Sequence, residues 1–204
     1  MSMPVSSPLP TTSPDAAAVS AGLLAPARVG DVTDFGRGLL AWDAIYEQLA
    51  PGCFEGGVEE LWIGDGLEIL WETGNRSVWT AGSNRAGMVS LGIPVAGGGS
   101  GMYCGVPLHG GAVSWLPGGG DFEIFSRERM DIVSATVSET LLRGFAGTDS
   151  QRTMDAQLRR PFIRQQPGRA EVLRRALLEI VPRSAASPVC WRSRRAGRRC
   201  ATAS

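Results

Sequence analysis

The sequence predicts a mainly β protein, an antiparallel sandwich or barrel followed by helices. Short runs rich in Val, Ile, Trp and Phe recur between residues 54 and 138, and turns containing glycine separate them. Apolar and polar residues alternate within several runs, as in a strand with one buried face. After residue 138 the apolar positions follow a helical repeat. With 204 residues, 43% of them hydrophobic, the chain can form one domain with a substantial core.

The first segment, residues 1–30, is rich in proline, serine and alanine and predicts a disordered leader. It lacks the basic start of a secretory signal, so we expect a cytoplasmic protein. No apolar run approaches the roughly 20 residues of a membrane-spanning helix, so we expect no membrane partner. Thr33 and Asp34 are candidate N-caps of a short helical turn before an extended segment.

Eight runs predict the strands of a β domain over residues 31–138. They are VEELWI, LEILWE, SVWT, GMVSLGI, GMYCGV, GAVSWL, DFEIF and MDIVSATVS. Asp65-Gly66 predicts a hairpin turn between the first two runs. In LEILWE, the side chains of Leu67, Ile69 and Trp71 share one face, which we expect to be buried. We expect the acidic residues of the strands to lie on solvated faces; these are Glu59, Glu60, Glu68, Glu72 and Glu123.

A small barrel or sandwich can enclose a cavity, and three apolar side chains are candidates for its wall. They are Trp71, and Val113 with Trp115 on one face of the run GAVSWL. A hollow lined in this way would accept a small apolar or aromatic ligand. The alternative is that these side chains simply fill the core.

The sequence offers little for catalysis, and we expect no enzyme. His109 is the only histidine, so neither a metal site with several histidines nor a catalytic triad is expected unless His109 serves alone with Cys53 or Cys104. The cysteines form no CxxC pair and indicate neither a zinc site nor a disulfide framework. The glycine-rich stretches at 96–103 and 116–125 lack the lysine of a phosphate loop and predict turns. We therefore expect no catalytic residue, no metal and no cofactor.

The segment 139–182 predicts helices. Ser138 is a candidate N-cap for a helix that ends near Gly144 or Gly147. A second helix follows Pro161, with Leu173, Leu177, Ile180 and Val181 along one stripe. Three arginines lie mostly off this stripe, where we expect solvent: Arg169, Arg174 and Arg175. The stripe could pack on the β domain or against a second copy of the chain.

The charge of the chain is divided between its two parts. Residues 1–140 contain 16 acidic residues and 6 arginines, whereas residues 141–204 contain 4 acidic residues and 14 arginines. The last segment, residues 183–204, has six arginines, no acidic residue and no apolar periodicity. It predicts a disordered basic tail of the composition that a shifted reading frame would produce. The alternative is an arm that binds nucleic-acid phosphates without sequence preference.

Two motifs and their order resemble a known family. YEQLAPGCFEGGVEEL, Tyr46–Leu61, and ETGNRSV, Glu72–Val78, precede VSLGIPVAGGGSGMYCGVPL and AVSWLPGGGDFEIFSRERMDIVSATVSETLL. Together, over residues 31–182, they resemble the N-terminal half of AraC-type bacterial transcriptional regulators, in the subgroup around the ethanolamine-operon regulator. The resemblance implies a cupin-like barrel that senses a small molecule, followed by helices for dimerisation, with Leu173, Leu177 and Ile180 as contact candidates.

The resemblance also implies a function. In the family a C-terminal domain with two helix-turn-helix motifs binds DNA; residues 183–204 are too few for it, so we do not expect sequence-specific DNA binding by this chain alone. We expect the sensing and dimerisation part of a transcriptional regulator, with a small-molecule effector and a homodimer partner. The alternatives are a free-standing cupin-like binding protein or enzyme, and a non-specific nucleic-acid binder that acts through its tail.

Overall fold

A computed structural model of the chain describes residues 22–37, 39–64, 66–95, 101–145 and 161–181, with only the backbone for residues 22–27. The described residues form two antiparallel sheets. The large sheet has the strand order β1-β3-β4-β11-β6-β9-β12, and the small sheet has the order β2-β5-β10-β7-β8. The strands of the large sheet are β1 Gly22–Val29, β3 Gly56–Ile63, β4 Leu67–Gly74, β6 Met88–Pro94, β9 Ala112–Leu116, β11 Met130–Ser138 and β12 Phe162–Gln165. Those of the small sheet are β2 Trp42–Gln48, β5 Val78–Asn84, β7 Gly101–Tyr103, β8 Val106–Leu108 and β10 Asp121–Ser126.

The predicted strands and most predicted turns are confirmed. All eight runs form strands, and GMYCGV is divided between β7 and β8. The backbones of Cys104 and Gly105 have φ angles of 47° and 76° there, the left-handed pair that a tight hairpin needs. The stretch after β9 turns the chain through Gly119, whose φ is 68°. Asp65 and residues 96–100 lie outside the described residues, but β3 and β4 pair as a hairpin from Ile63↔Leu67 onward.

The core lies between the sheets and also behind the large sheet. Side chains from both sheets meet in a cluster that includes Tyr46, Leu70, Val78 and Met130. Because successive side chains of a strand point to opposite faces, the neighbours of these residues in the large sheet face away from the small sheet. That second face is also covered, so both faces of the central strands are buried.

A helix covers the second face. The short helix α1 spans Glu139–Phe145, and α2 spans Pro167–Ile180. Buried residues of α2 and the large sheet form one cluster, together with Val181 just beyond the helix. The Oγ of Ser138 accepts a hydrogen bond from the Leu141 amide at 3.2 Å, so the predicted N-cap of α1 is confirmed.

Three details differ from the sequence predictions. Strand β1 occupies residues 22–29, within the predicted disordered leader, and pairs antiparallel with β3; residues 1–21 and the tail 183–204 lie outside the described residues. Asp31, and neither Thr33 nor Asp34, caps the short 3-10 helix Val32–Asp34, because its carboxylate accepts from the Thr33 amide. Strand β12 lies inside the segment predicted to be helical and completes the edge of the large sheet beside β9.

Arg174 of α2 is buried, contrary to the prediction that it lies in solvent. Its Nε donates to the Pro94 carbonyl oxygen at 2.8 Å, and its guanidinium also donates to the Gly110 carbonyl oxygen and to the Glu171 carboxylate. The side chain therefore ties α2 to the end of β6 and to the turn before β9. The charge is tolerated there because every bond is charge-assisted and directed at a fixed oxygen.

We expect Arg174→Met to lower the free energy of unfolding by about 2–4 kcal/mol, since two carbonyl oxygens lose a charged donor while the apolar stem is kept. Urea denaturation measures this loss. Arg175 is exposed on the same helix, so Arg175→Met is the matched control and should change stability by no more than about 0.5 kcal/mol. Equal effects of the two substitutions would contradict the assigned role of Arg174.

Candidate functional site

A cavity between the two sheets is the candidate functional site. Its empty volume, including the part open to solvent, is about 540 Å³. The enclosed centre has room for on the order of three water molecules or a ligand of similar size. Small-sheet residues of its wall are Trp42, Tyr46, Thr80, Tyr103, Phe122 and Ile124. Large-sheet residues of its wall are Leu70, Glu72, Ser90, Gly92, Leu116, Met130, Ile132 and Ser134.

The polar wall of the cavity includes a hydrogen-bonded pair that connects the sheets. The Tyr46 hydroxyl on β2 donates to Oε1 of Glu72 on β4 at 2.6 Å. Burial raises the pKa of Glu72 to about 7, although the bond from Tyr46 opposes the rise. Burial and the nearby Glu72 charge raise the pKa of Tyr46 well above its usual range. Glu72 can therefore exchange a proton near neutral pH, whereas Tyr46 stays a hydrogen-bond donor.

A second buried acidic group lies beside the cavity on the same strands. Oε2 of Glu68 on β4 accepts from the Trp42 indole of β2 at 3.0 Å, and Oε1 of the neighbouring Glu60 accepts from the Trp62 indole at 2.8 Å. Glu68 has no exposed surface. Burial and the nearby Glu60 carboxyl raise the pKa of Glu68 well above its usual value. Two inter-sheet bonds thus fasten β2 to β4, and both end on a glutamate.

The predicted solvation of the strand glutamates is therefore wrong for three of the five. Glu60 and Glu68 are buried, and Glu72 lines the cavity. The prediction assigned one buried face to β4 because Leu67, Ile69 and Trp71 are apolar. In the structure that apolar face lies under α2, and the acidic face lies toward the small sheet. Glu123 is exposed as predicted, and Glu59 is partly buried.

One hydroxyl in the wall lacks a hydrogen-bond partner. Thr80 is 4% exposed, and its Oγ1 has no partner among the described residues. The neighbouring hydroxyls are satisfied: Ser90 and Thr136 bond each other at 3.0 Å, and the Asn84 amide donates to Ser90 at 3.1 Å. A buried polar atom without a partner is costly.

The three predicted pocket residues do not line this cavity. Trp71 and Val113 pack against the α2 side of the large sheet. Trp115 is buried, and its ring stacks on Phe162 of β12 with centroids 5.7 Å apart. The error has one cause, since Trp71 and Trp115 are one position out of phase with Glu72 and Leu116, which do line the cavity.

The predicted dimer residues are also placed largely inside the protomer. Leu177 is buried against the large sheet, and Leu173 packs on the same cluster. Ile180 is 46% exposed. The exposed apolar face of α2 consists instead of Val172, Ala176 and Ile180, spaced four residues apart.

The other chemically interesting residues lie elsewhere. His109 is exposed in the turn after β8, Cys104 has an exposed free thiol, and Cys53 is exposed in the segment between β2 and β3. Within the described ranges, no three His, Cys, Asp or Glu residues come together as a metal site would require. No helix of those ranges is long and apolar enough to cross a membrane. No protein-family model, curated protein or solved structure matches the chain.

Sequence reasoning missed Tyr46, Glu72 and Thr80 as members of one site. One signal was available: the run WDAIYEQ of β2 places Trp42 and Tyr46 on one face, and each has a polar tip that needs a buried partner. The two donors are four residues apart in β2, and the two glutamates are four residues apart in β4. Pairing them would have predicted that the acidic face of β4 lies toward the small sheet.

The raised pKa of Glu72 makes stability depend on pH. Because the folded state holds its proton more tightly than the unfolded state, the contribution of Glu72 is complete below pH 4.5 and is lost as the pH rises to about 7. The loss is on the order of 3 kcal/mol. We expect Glu72→Gln, which stays neutral, to remove this part of the pH dependence in urea denaturation between about pH 4.5 and 7.

The exposed Glu47→Gln, on the outer face of β2, is the control for this measurement and should leave the profile unchanged. If Glu72→Gln also leaves it unchanged, Glu72 is not a buried carboxyl with a raised pKa.

Proposed function

We propose that the chain binds a small molecule between its two sheets and acts as the sensing part of an AraC-type transcriptional regulator in the cytoplasm. The observation that carries the proposal is an open cavity whose mostly apolar wall includes a few polar residues. Glu72 and Tyr46 present a paired acceptor and donor, and Thr80 presents a hydroxyl without a partner. Ligand sites in proteins are mostly apolar with a few placed polar groups.

The wall of the cavity restricts the ligand. No Arg, Lys or His lines it, so an anion would lose its hydration without a compensating charge. The aromatic side chains of Trp42 and Phe122 meet edge to face, with ring centroids 5.4 Å apart, on one side. A small, mostly apolar or aromatic molecule with one or two hydrogen-bonding groups fits this wall.

The regulatory part of the proposal rests on the resemblance of residues 31–182 and on the position of α2. The large sheet has the cavity on one face and α2 on the other, so a ligand that shifts β6 or β11 also shifts the surface on which α2 lies. The helices α1 and α2 are separated by β12 and do not form a helix-turn-helix pair. In this proposal, sequence-specific DNA binding belongs to a helix-turn-helix domain of the kind that the family has, and not to the described residues 22–181.

We also propose that the partner is a second copy of the chain, in contact through the exposed face of α2. The residues of that face are Val172, Ala176 and Ile180, and they replace Leu173 and Leu177 as the contact candidates. Sedimentation velocity tests this proposal: the chain should sediment as a dimer and Val172→Glu as a monomer, and a monomeric wild type would contradict it.

One observation favours a second function. A carboxyl with a pKa of about 7, hydrogen-bonded to a tyrosine in a cavity, is also the arrangement of an acid-base catalyst. A cupin-like enzyme would therefore use Glu72 for proton transfer. Incubation of a bound ligand with the protein separates the two functions, because a sensor returns the ligand unchanged and an enzyme converts it.

The unpaired hydroxyl of Thr80 provides the sharpest test of ligand binding. We expect Thr80→Val to leave the ligand-free protein as stable as the wild type or about 1 kcal/mol more stable, because the substitution removes a buried group without a partner. A ligand found by thermal-shift screening should bind Thr80→Val and Glu72→Gln about tenfold more weakly. Isothermal titration calorimetry measures the dissociation constants.

Thr136→Val is the matched control. Its hydroxyl is buried and bonded to Ser90, so this substitution should lower the free energy of unfolding by about 1–2 kcal/mol and leave the intrinsic affinity almost unchanged. Ligand affinity that is insensitive to both Thr80 and Glu72 would place the binding site outside this cavity.

A further inference from the structure

The outer face of the small sheet carries a charge pattern that the cavity does not explain. The five strands of this sheet contain four charged residues, and all four are acidic and exposed. They are Asp43 and Glu47 of β2 and Asp121 and Glu123 of β10. No described ion pair involves any of them; the described pairs are Arg37–Asp34, Arg143–Glu139 and Arg174–Glu171. This surface, the acidic face, therefore attracts a basic partner.

Apolar side chains lie among the carboxylates. In the register of the sheet, Trp79 is opposite Phe125, Phe125 is opposite Met102, and Met102 is opposite Pro107. This row crosses four strands of the acidic face. Ile45 of β2 lies in the adjacent row of the same face and is 63% exposed. Trp79 is held in place because its indole donates to Oε1 of Glu123 at 2.6 Å.

The two sheets differ in what covers their outer faces. The helices α1 and α2 pack on strands of the large sheet, whereas the side chains of the acidic face remain partly or fully exposed. An aromatic and aliphatic row with a carboxylate border suits a segment that is both arginine-rich and partly apolar. Guanidinium groups pair with carboxylates and also stack on aromatic rings.

The charge of the chain itself identifies the occupant. Four stretches of several residues lie outside the described ranges, and three of them carry little net charge: residues 1–21 contain one Asp, 96–100 no charge, and 146–160 two Asp and three Arg. Residues 182–204 contain six Arg, no acidic residue and Trp191. We propose that the segment 183–204 docks on the acidic face of the same chain.

The segment is long enough to reach this face. It begins after Val181, which packs behind the large sheet, and sheets in a sandwich are about 10 Å apart. The ten residues from 182 to 191 can span up to about 33 Å when extended, which brings Trp191 and the arginines after it around the sheet edge. A tether of this kind gives an effective concentration in the millimolar range, so even weak pairs are occupied.

Photo-crosslinking in the full-length chain tests the docking. Ile45 is replaced by the photo-crosslinking residue benzoylphenylalanine, and mass spectrometry identifies the attached peptide. Val172, 70% exposed on α2, is the matched control position. We expect Ile45 to capture residues 183–204 of the same chain, and a mixture of isotope-labelled and unlabelled protein shows that donor and target are one molecule. The yield should fall about tenfold between about 50 mM and 500 mM NaCl.

Neutralising the four carboxylates of the acidic face should release the segment 183–204. We expect the combined variant Asp43→Asn, Glu47→Gln, Asp121→Asn and Glu123→Gln to lower the crosslinking yield about tenfold at low salt, while circular dichroism shows that the fold is kept. Capture of another segment or of a second copy, or no capture at low salt, would overturn the proposal. So would equal binding of a random-sequence DNA duplex by the wild type and this variant, because the segment would then be a free basic arm.

Discussion

The rest of the structure depends on one constraint. Side chains of a strand alternate between two faces, and both faces of the large sheet are covered. In the central strands β4, β6 and β11, successive side chains alternate between the face toward the small sheet and the face on which the helices pack. Glu72 and Ser134 face the cavity, whereas Trp71 and Val133 beside them face the helix. A shift of one residue in the register of one of these strands would therefore move its cavity-facing side chains to the helix side and its helix-facing side chains to the cavity.

The core between the two sheets contains several buried polar side chains. Tyr46 and Trp42 place a hydroxyl and an indole at the positions where Glu72 and Glu68 supply acceptors. These bonds satisfy the Tyr46 hydroxyl and the Trp42 indole, which would otherwise be costly to bury, and they join β2 to β4. Apolar residues at the same positions would make a simpler core. In the proposed function these polar groups serve as a binding surface, and the Thr80 hydroxyl, which no described residue satisfies, is the group that a ligand would engage.

Local patterns in the sequence predict strands β2 to β11, the hairpins and the helix α2, because each depends on neighbouring residues, but they do not predict β1 or β12. It is harder to predict which layer covers each face of a strand. The apolar side chains of LEILWE could pack against the other sheet or against a helix, and the local sequence does not distinguish the two. The partner of that side is α2, about 100 residues later in the chain. The burial of Arg174 is equally non-local, since its acceptors are carbonyl oxygens at Pro94 and Gly110. The pocket prediction was wrong for the same reason, since Trp71 and Trp115 are each one position away from a residue that lines the cavity.

The acidic side of β4 faces a cavity between the sheets, and Glu72 is the carboxyl there whose pKa lies near neutral pH. Carbon-detected NMR of the glutamate side-chain carboxyls, with Glu72→Gln for assignment, measures this titration directly. We expect one carboxyl with a pKa of about 7 to disappear in that variant, and its signal to shift when a ligand binds. An ordinary glutamate pKa near 4.3 for Glu72 would show a solvated side chain and would contradict both the orientation of β4 and the proposed binding site.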